Sequence, residues 1–562
     1  MVAKLLPAET RAQDVAFVTQ CSLKGLQDRL PFMWPAPVDI PPSPKTHYRS
    51  HYVYLGWDDL KDPATWEHLS DFDLLLRLID FSPLRPVLAQ RQGWTSALGW
   101  QPFDPVSMFL VLGWQFTHTW DRSELLRQLR HPRHADYVRR FGFEDGCLPT
   151  EGGLRHWLTA LGQHSQNGDT IVVDKAQQIE VAVEFLNQLL VQSVGLFRDI
   201  GLLSPEAWDQ ALICPDGMLH DAASRLRCSA VCETCYQPAP RPCPAKEKGQ
   251  RGCDCDTLAC ASICRRATPR DPEARFIWYE YSNQSTNPDP NADPDPDRGK
   301  QHARQGQARY GYASLPLMLA DPARRFHLIL LEHVSPANAR LENPFAAQLL
   351  HLSTCYPSLH VADVAGDAAF GYDIALRIVH NVLRARRVID HRAHQTDQNK
   401  PLWPLRGYDA KGRPVCQFGF SFTANGFDPE RLRYKWLCEH ACLTGAAPLV
   451  RLEHTAYPPD ECPYLDQPYG RILNIGECFA DGSIRLVRDV PFDSPAWKQL
   501  YQRARNAPES RNALFEAWGL KRLPVYGAPR AKALLFLADV WANLTTLARL
   551  IREATAATGV TT

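Results

Sequence analysis

The sequence predicts an α/β fold, and three observations carry that reading. Apolar runs of strand length recur through the middle of the chain, and "ALICPD" and "LHVADVAGD" both end in aspartate. Apolar residues at three- and four-residue spacing, the period of a helix, precede them from about residue 60 and return from Asn506 onward. The 562 residues, 45% hydrophobic with 15 Trp, supply ample core for about two to four domains.

In chain order, residues 1–59 are Pro-rich toward their end ("PFMWPAPVDIPPSPK") and read as an irregular arm. Residues 60–200 read as a helical domain. It runs from "DFDLLLRLIDFSPLRPVLAQ" through "DPVSMFLVLGWQFTHTWDRSELLRQLRHPRHADYVRRFGF" to an amphipathic helix over residues 170–200. Its interleaved Arg and His suit a DNA reader as well as an ordinary solvated face. Residues 205–227 open the α/β core with a strand ending at Asp216-Gly217. Residues 228–275 form a Cys-rich insertion, and 276–395 continue the core. Within that stretch, Ser282–Arg309 has the Pro, Asp, Asn and Gln bias of a disordered loop. "RYGYASLPLML" and "RFHLILLEHVS" then read as strands and "SPANARLENPFAAQLLHL" as a helix. Residues 396–495 alternate in a β manner, and 496–562 return to helix.

Lys+Arg and Asp+Glu each number 62, so any basic surface for a polyanion must be local. No apolar run approaches the length of a bilayer span, and "VSMFLVLGW" reads as a buried helix. "MVAKLLPAETRAQD" lacks the long apolar segment of a secretion signal. These readings predict a cytoplasmic protein without a membrane partner, whose 17 cysteines are thiols or zinc ligands rather than disulfides.

Three acids stand out by context. Asp216 ends the first strand, Asp367 follows a later one, and Glu509 lies near the start of a helix in an Arg-rich stretch. Two aspartates and a glutamate on separate elements are the oxygen donors that a hard divalent cation takes. Two such ions can activate a nucleophile and stabilise a leaving oxygen at a phosphodiester. Spacing alone decides little, because 62 acids will always offer such a trio.

The chain resembles a bacterial insertion-sequence transposase of the DDE type from about residue 60 onward. "PDGMLHDAAS" resembles the first-Asp segment of its RNase H-like core. "RYGYASLPLML" and "LILLEHVSPANARLENPF" resemble the next strands and the turn behind them. "GDAAFGYDIALRIVHNVLRARRVIDHR" resembles the second-Asp block, with Phe370 at the aromatic place three residues on. Tyr501, Arg505 and Glu509 resemble the Tyr-Arg-Glu helix, although the Tyr is one residue further off, Pro508 precedes the Glu, and Glu516 stands where Lys is common. "DAKGRPVCQFGFSFTANGFDPERLRYKWLC" resembles the β-rich insertion of one branch.

The resemblance implies Asp216, Asp367 and Glu509 as catalytic ligands of two Mg²⁺ ions (or Mn²⁺), with Asp363 and Asp221 as alternatives for the two aspartates. It implies end-binding by the helical domain and phosphate contacts by Arg505 and Arg511. It further implies double-stranded DNA as partner (terminal repeats and target) and a homodimer or larger synaptic complex in a nucleoid-associated bacterial protein. The fold expected is therefore an RNase H-like core with an N-terminal helical domain, a Cys-rich insertion and a β-rich insertion before the last catalytic helix. Two rival readings are a catalytically inactive, domesticated DNA-binding descendant and a zinc-dependent interaction protein with no DNA role.

Cys228, Cys232, Cys235, Cys243, Cys253, Cys255, Cys260 and Cys264 crowd one segment, as thiolate zinc sites do. Cys438, His440, Cys442 and Cys462 form a second group with the right donors for zinc.

Overall fold

The computed structural model describes residues 47–56, 59–89, 102–143, 147–163, 170–171, 181–182, 184–223, 271, 273–280, 306–321, 326–389, 405–408, 413–428, 431, 433–448, 460, 462–468, 470–476, 490 and 495–558. It is mixed helix and sheet, α/β in class as the sequence predicts. The eight-cysteine segment lies outside the described residues, as do most of the N-terminal arm and most of the Ser282–Arg309 loop.

Among the described residues, six helices of six residues or more come first: α1 (Asp71–Leu78), α2 (Pro105–Thr117), α3 (Arg122–Leu129), α4 (Ala135–Arg140), α5 (Glu151–Gln163) and α6 (Asn187–Asp199). Their starts follow local chemistry. The Ser70 hydroxyl accepts from the Asp73 N–H, and the Asp104 carboxylate accepts from the Val106 N–H ahead of a proline whose missing N–H costs nothing there. α2 is buried on nearly every side, so "VSMFLVLGW" is a core helix. Of the amphipathic helix expected over residues 170–200, Asn187–Asp199 is helical, and among the described residues before it Thr170–Ile171 pairs antiparallel with Val181–Ala182. The β-branched Thr170 and Ile171 favour the extended backbone.

The sheet follows as β1 (Ala211–Pro215), β2 (Met218–Asp221), β3 (Arg275–Glu280), β4 (Gly306–Ser314), β5 (Leu317–Asp321), β6 (Phe326–Leu331) and β7 (Val334–Pro336). α7 (Glu342–Cys355) leads to β8 (Val361–Gly366) and β9 (Arg386–Ile389). β4 begins at Gly306, so the end of the expected loop is strand. Five strands lie in the order β9-β8-β1-β5-β6. β8 runs parallel to both β9 and β1, while β5 is antiparallel to β1 and to β6. Around Asp216, Leu315 and His333 the chain bends out of this sheet into a second one, where β4 pairs with β2, β3 and β7.

The β-rich stretch holds β10 (Leu405–Tyr408), β11 (Pro414–Cys416), β12 (Thr423–Asp428), β13 (Arg433–Leu437) and β14 (Ile472–Gly476). β12, β13 and β14 form an antiparallel sheet, and β10 pairs with β11. Two long helices follow, α8 (Pro495–Ala517) and α9 (Ala528–Thr558). α8 starts earlier than the periodicity from Asn506 suggests and runs through Pro508, giving up the bond that residue cannot donate.

α9 corrects one expectation: Ala528–Ala554 is long and apolar enough to cross a membrane. Its most apolar window is 83% buried within the protein, which accounts for its composition as core material. Trp541 stacks on Phe109 of α2 at 4.9 Å between ring centres, over Gly113. Apolar side chains of the first six helices, the five-stranded sheet and α9 make one continuous core. At the α5 crossing, a Cβ on Gly162 would stand 1.8 Å from the Pro529 carbonyl oxygen. Gly162→Ala is accordingly expected to destabilise by about 1–3 kcal/mol despite alanine's better helix propensity. A urea midpoint equal to or above wild type would contradict this close crossing.

Candidate functional site

Two carboxylates meet at the carboxyl ends of neighbouring parallel strands. Val364 of β8 is opposite Ile213 of β1, and carrying that register onward sets Asp367 beside Asp216, each just past its strand. Asp216 is partly buried, and its N–H bonds the Pro316 carbonyl at the bend between the sheets (3.3 Å). Asp367 is exposed and caps the following turn, its Oδ1 accepting from the Ala369 N–H at 2.9 Å. Phe370 packs beneath this turn, edge-on to Phe345 of α7 at 5.2 Å. Burial, with the Asp367 charge adding to it, pushes the Asp216 carboxyl above the usual carboxylate range. The Gly217 N–H, Asn512 and Arg511 pull the other way.

The two alternative aspartates go elsewhere. Asp363 is buried in the body of β8 and receives both Arg386 Nε (2.7 Å) and Nη2 (2.8 Å) from the adjacent strand. This two-point ion pair accounts for the acid structurally. Asp221 ends β2 in the second sheet, where it receives Arg309 Nε at 2.9 Å and its backbone holds Lys521 and Leu523.

α8 supplies the third wall. Arg505, Glu509 and Asn512 lie four and three residues apart, along one face. Asn512 Nδ2 donates to Asp216 Oδ2 at 2.9 Å, a contact no sequence signal announces. Its Oδ1 is buried and makes no hydrogen bond. Glu509 is exposed and pairs with Arg505 at 3.4 Å rather than with the aspartates. Tyr501 stacks on Trp497 at 4.4 Å.

Arg511 departs from the expectation of a phosphate contact. It is fully buried, and a guanidinium without exposed surface cannot reach DNA. Nε donates to Asp539 Oδ1 (2.7 Å), and Nη2 donates to Glu332 Oε2 (2.8 Å) and Asp539 Oδ2 (3.0 Å). Glu332 Oε1 accepts from the Leu315 and His333 N–H groups at the sheet bend. Ser314 bonds both Arg511 and His220, and burial pushes His220 down to about 3, leaving it neutral. Arg511 therefore locks the rotation of α8 about its axis, so that Asn512 faces Asp216.

The donor chemistry fits a divalent cation. Two carboxylates meet where burial and like charge both disfavour the ionised Asp216, a combination that a cation relieves. As the side chains stand, no three His, Cys, Asp or Glu among the described residues are grouped tightly enough to hold an ion. Glu509 would join by giving up an exposed ion pair, a cost of about 0–1 kcal/mol.

The cysteines called second in sequence lie in the β-rich stretch. Cys438 follows β13, Cys442 sits on the next turn, and Cys462 stands on the segment leading to β14. Cys416, at the end of β11, is a member of the group that sequence spacing did not include. Compared with protein-family models and with curated proteins, the chain matches none.

Proposed function

We propose that the chain is a DDE-type transposase that cuts and joins DNA ends at the Asp216–Asp367 site of an RNase H-like core. The single observation that carries this reading is the pairing of the two acids at adjacent parallel strand ends, with a helix bearing Glu509 and Asn512 packed across them. The mixed order of the five-stranded sheet, with β5, its second strand in chain order, antiparallel to β1, supports it. So does the resemblance of the motifs around each acid.

On this reading Asp216, Asp367 and Glu509 hold divalent ions, with Asn512 orienting the Asp216 carboxylate. The ions would supply activation of the attacking oxygen and charge relief for the leaving one. Glu509 turns from Arg505 toward the aspartates, and Arg505, then released at the rim, contacts DNA phosphate. Cutting exposes a 3′-hydroxyl that attacks target phosphate directly, and two ends are held together in a dimer or larger assembly.

Incubating the protein with DNA carrying the native ends of its element tests this. Nicking and strand transfer are expected with Mg²⁺ and are abolished by EDTA. Binding without cutting in either Mg²⁺ or Mn²⁺ replaces the enzyme with the inactive DNA-binding descendant, for which the Arg505–Glu509 pair already speaks.

A further inference from the structure

The β-rich stretch is poorly provided with core. Among its described residues only Phe422, Tyr434, Trp436 and Leu473 form a buried apolar cluster, with Cys416 and Cys438 packed at its edge. A handful of side chains does not hold a small sheet together, and domains of this kind usually add a staple. All four described cysteines here are free thiols, none of them exposed.

Their backbone settings are those of sulfur held in place. The chain turns tightly after Cys416: the Phe420 N–H points at Cys416 Sγ (3.4 Å), the Cys416 N–H bonds the Phe420 carbonyl (2.8 Å), and Gly419 adopts a positive φ of 91°. Cys438 is clamped to the strand leading into β14. Its N–H bonds the Arg471 carbonyl (2.9 Å) and its carbonyl accepts from Gly470 (3.0 Å). A Cβ on Gly470 would stand 2.7 Å from Cys438 Sγ, so only glycine lets this segment come so near the sulfur.

The four sulfurs come from three stretches of backbone, Cys438 and Cys442 sharing the segment after β13, and lie within electrostatic reach of one another: Cys438 of Cys416 and Cys462, and Cys442 of all three.

We propose that Cys416, Cys438, Cys442 and Cys462 form a tetrathiolate zinc site that staples β11, β13 and the approach to β14 into one folded unit. Four thiolates complete the tetrahedral shell of a structural zinc, and binding releases their protons. As the side chains stand they are not yet closed to coordination distance, so the ring closes as the thiols turn inward. The competing donor is His440, whose Nε2 is buried without a partner and which sits at a positive φ of 54° between Cys438 and Cys442. The zinc site does not depend on the transposase reading.

The test uses the full chain, with thiol alkylation mapped peptide by peptide after loading with Zn²⁺ alone and again after chelation. All four cysteines are expected to be protected together by zinc and to lose that protection together with chelator. Cys416→Ser is expected to lower bound zinc by about one equivalent per chain, while His440→Ala leaves it unchanged. The proposal is overturned if Cys416 alkylates equally with and without zinc, or if His440→Ala removes the protection. Because the footprint is read on wild-type protein, misfolding of a variant does not blunt the test.

Discussion

Asp216→Asn is expected, on the proposed transposase function, to lower Mg²⁺-dependent DNA cleavage by about 10³-fold or more while raising the melting temperature measured without divalent ions. The replacement keeps the shape and an acceptor for Asn512 Nδ2, so the loss would report charge rather than collapse. The gain in stability follows from the raised carboxyl. Burial and Asp367 hold it above its unfolded value, so its contribution to stability is present below the unfolded pKa and is lost as pH rises through the folded one. The advantage of the Asn variant should therefore be absent near about pH 3.5 and grow toward neutrality. Mg²⁺ should then stabilise wild type at neutral pH and leave the variant unmoved, by linkage of binding to folding. A variant that melts below wild type at pH 7 in EDTA, or that responds equally to Mg²⁺, would remove Asp216 from the metal site.

The largest loss of stability belongs to Arg511. Arg511→Met deletes the cation serving two buried carboxylates, and about 3–5 kcal/mol should go with it, measured by urea unfolding. The pH dependence has a definite sign. Burial and Asp539 already hold the Glu332 carboxyl well above the ordinary range, so its contribution to stability falls as pH rises. Without Arg511 the penalty should deepen as pH rises above the ordinary carboxylate range. Adding Glu332→Gln should return part of the loss, since one uncompensated charge then remains instead of two. If Arg511→Met costs no more than an exposed salt bridge, the guanidinium is not what fixes α8. Because Arg511 neighbours Asn512 in the helix, a shifted α8 would also impair cleavage even in conditions where the variant stays folded.

What could be read beforehand was what is local. α2 was legible because twelve consecutive residues from Pro105 to Phe116 are buried, leaving an unbroken apolar signature. Asp216 was legible as a strand-end acid because β1 is apolar up to the residue before it. The choice between Asp363 and Asp367 was not, since it turns on Arg386, which is recruited by a neighbouring strand. Arg511 looked like a surface arginine because its partners Glu332 and Asp539 stand 179 and 28 residues away. Asn512 carried no signal at all, its partner being 296 residues distant. Cys416 escaped for the same reason: it packs against the same apolar cluster as Cys438, which follows it by 22 residues across two hairpin strands, and such a juxtaposition leaves no fixed spacing. The short ladder at Thr170–Ile171 was mistaken for helix because two residues are too few to show either period.

The reach of α9 bears on how the protein is made. Arg552 bonds Asp71 across 481 residues, Trp541 bonds the Phe109 carbonyl across 432, and Arg530 bonds Thr159 across 371. On a ribosome the first helices emerge long before the helix that covers them. Their apolar faces wait uncovered while the sheet and the β-rich stretch are translated, the situation in which nascent chains aggregate or engage chaperones. Interrupted synthesis should therefore yield insoluble fragments rather than a soluble helical domain. Whatever acts at Asp216 and Asp367 is assembled only after α8 and α9 have been made.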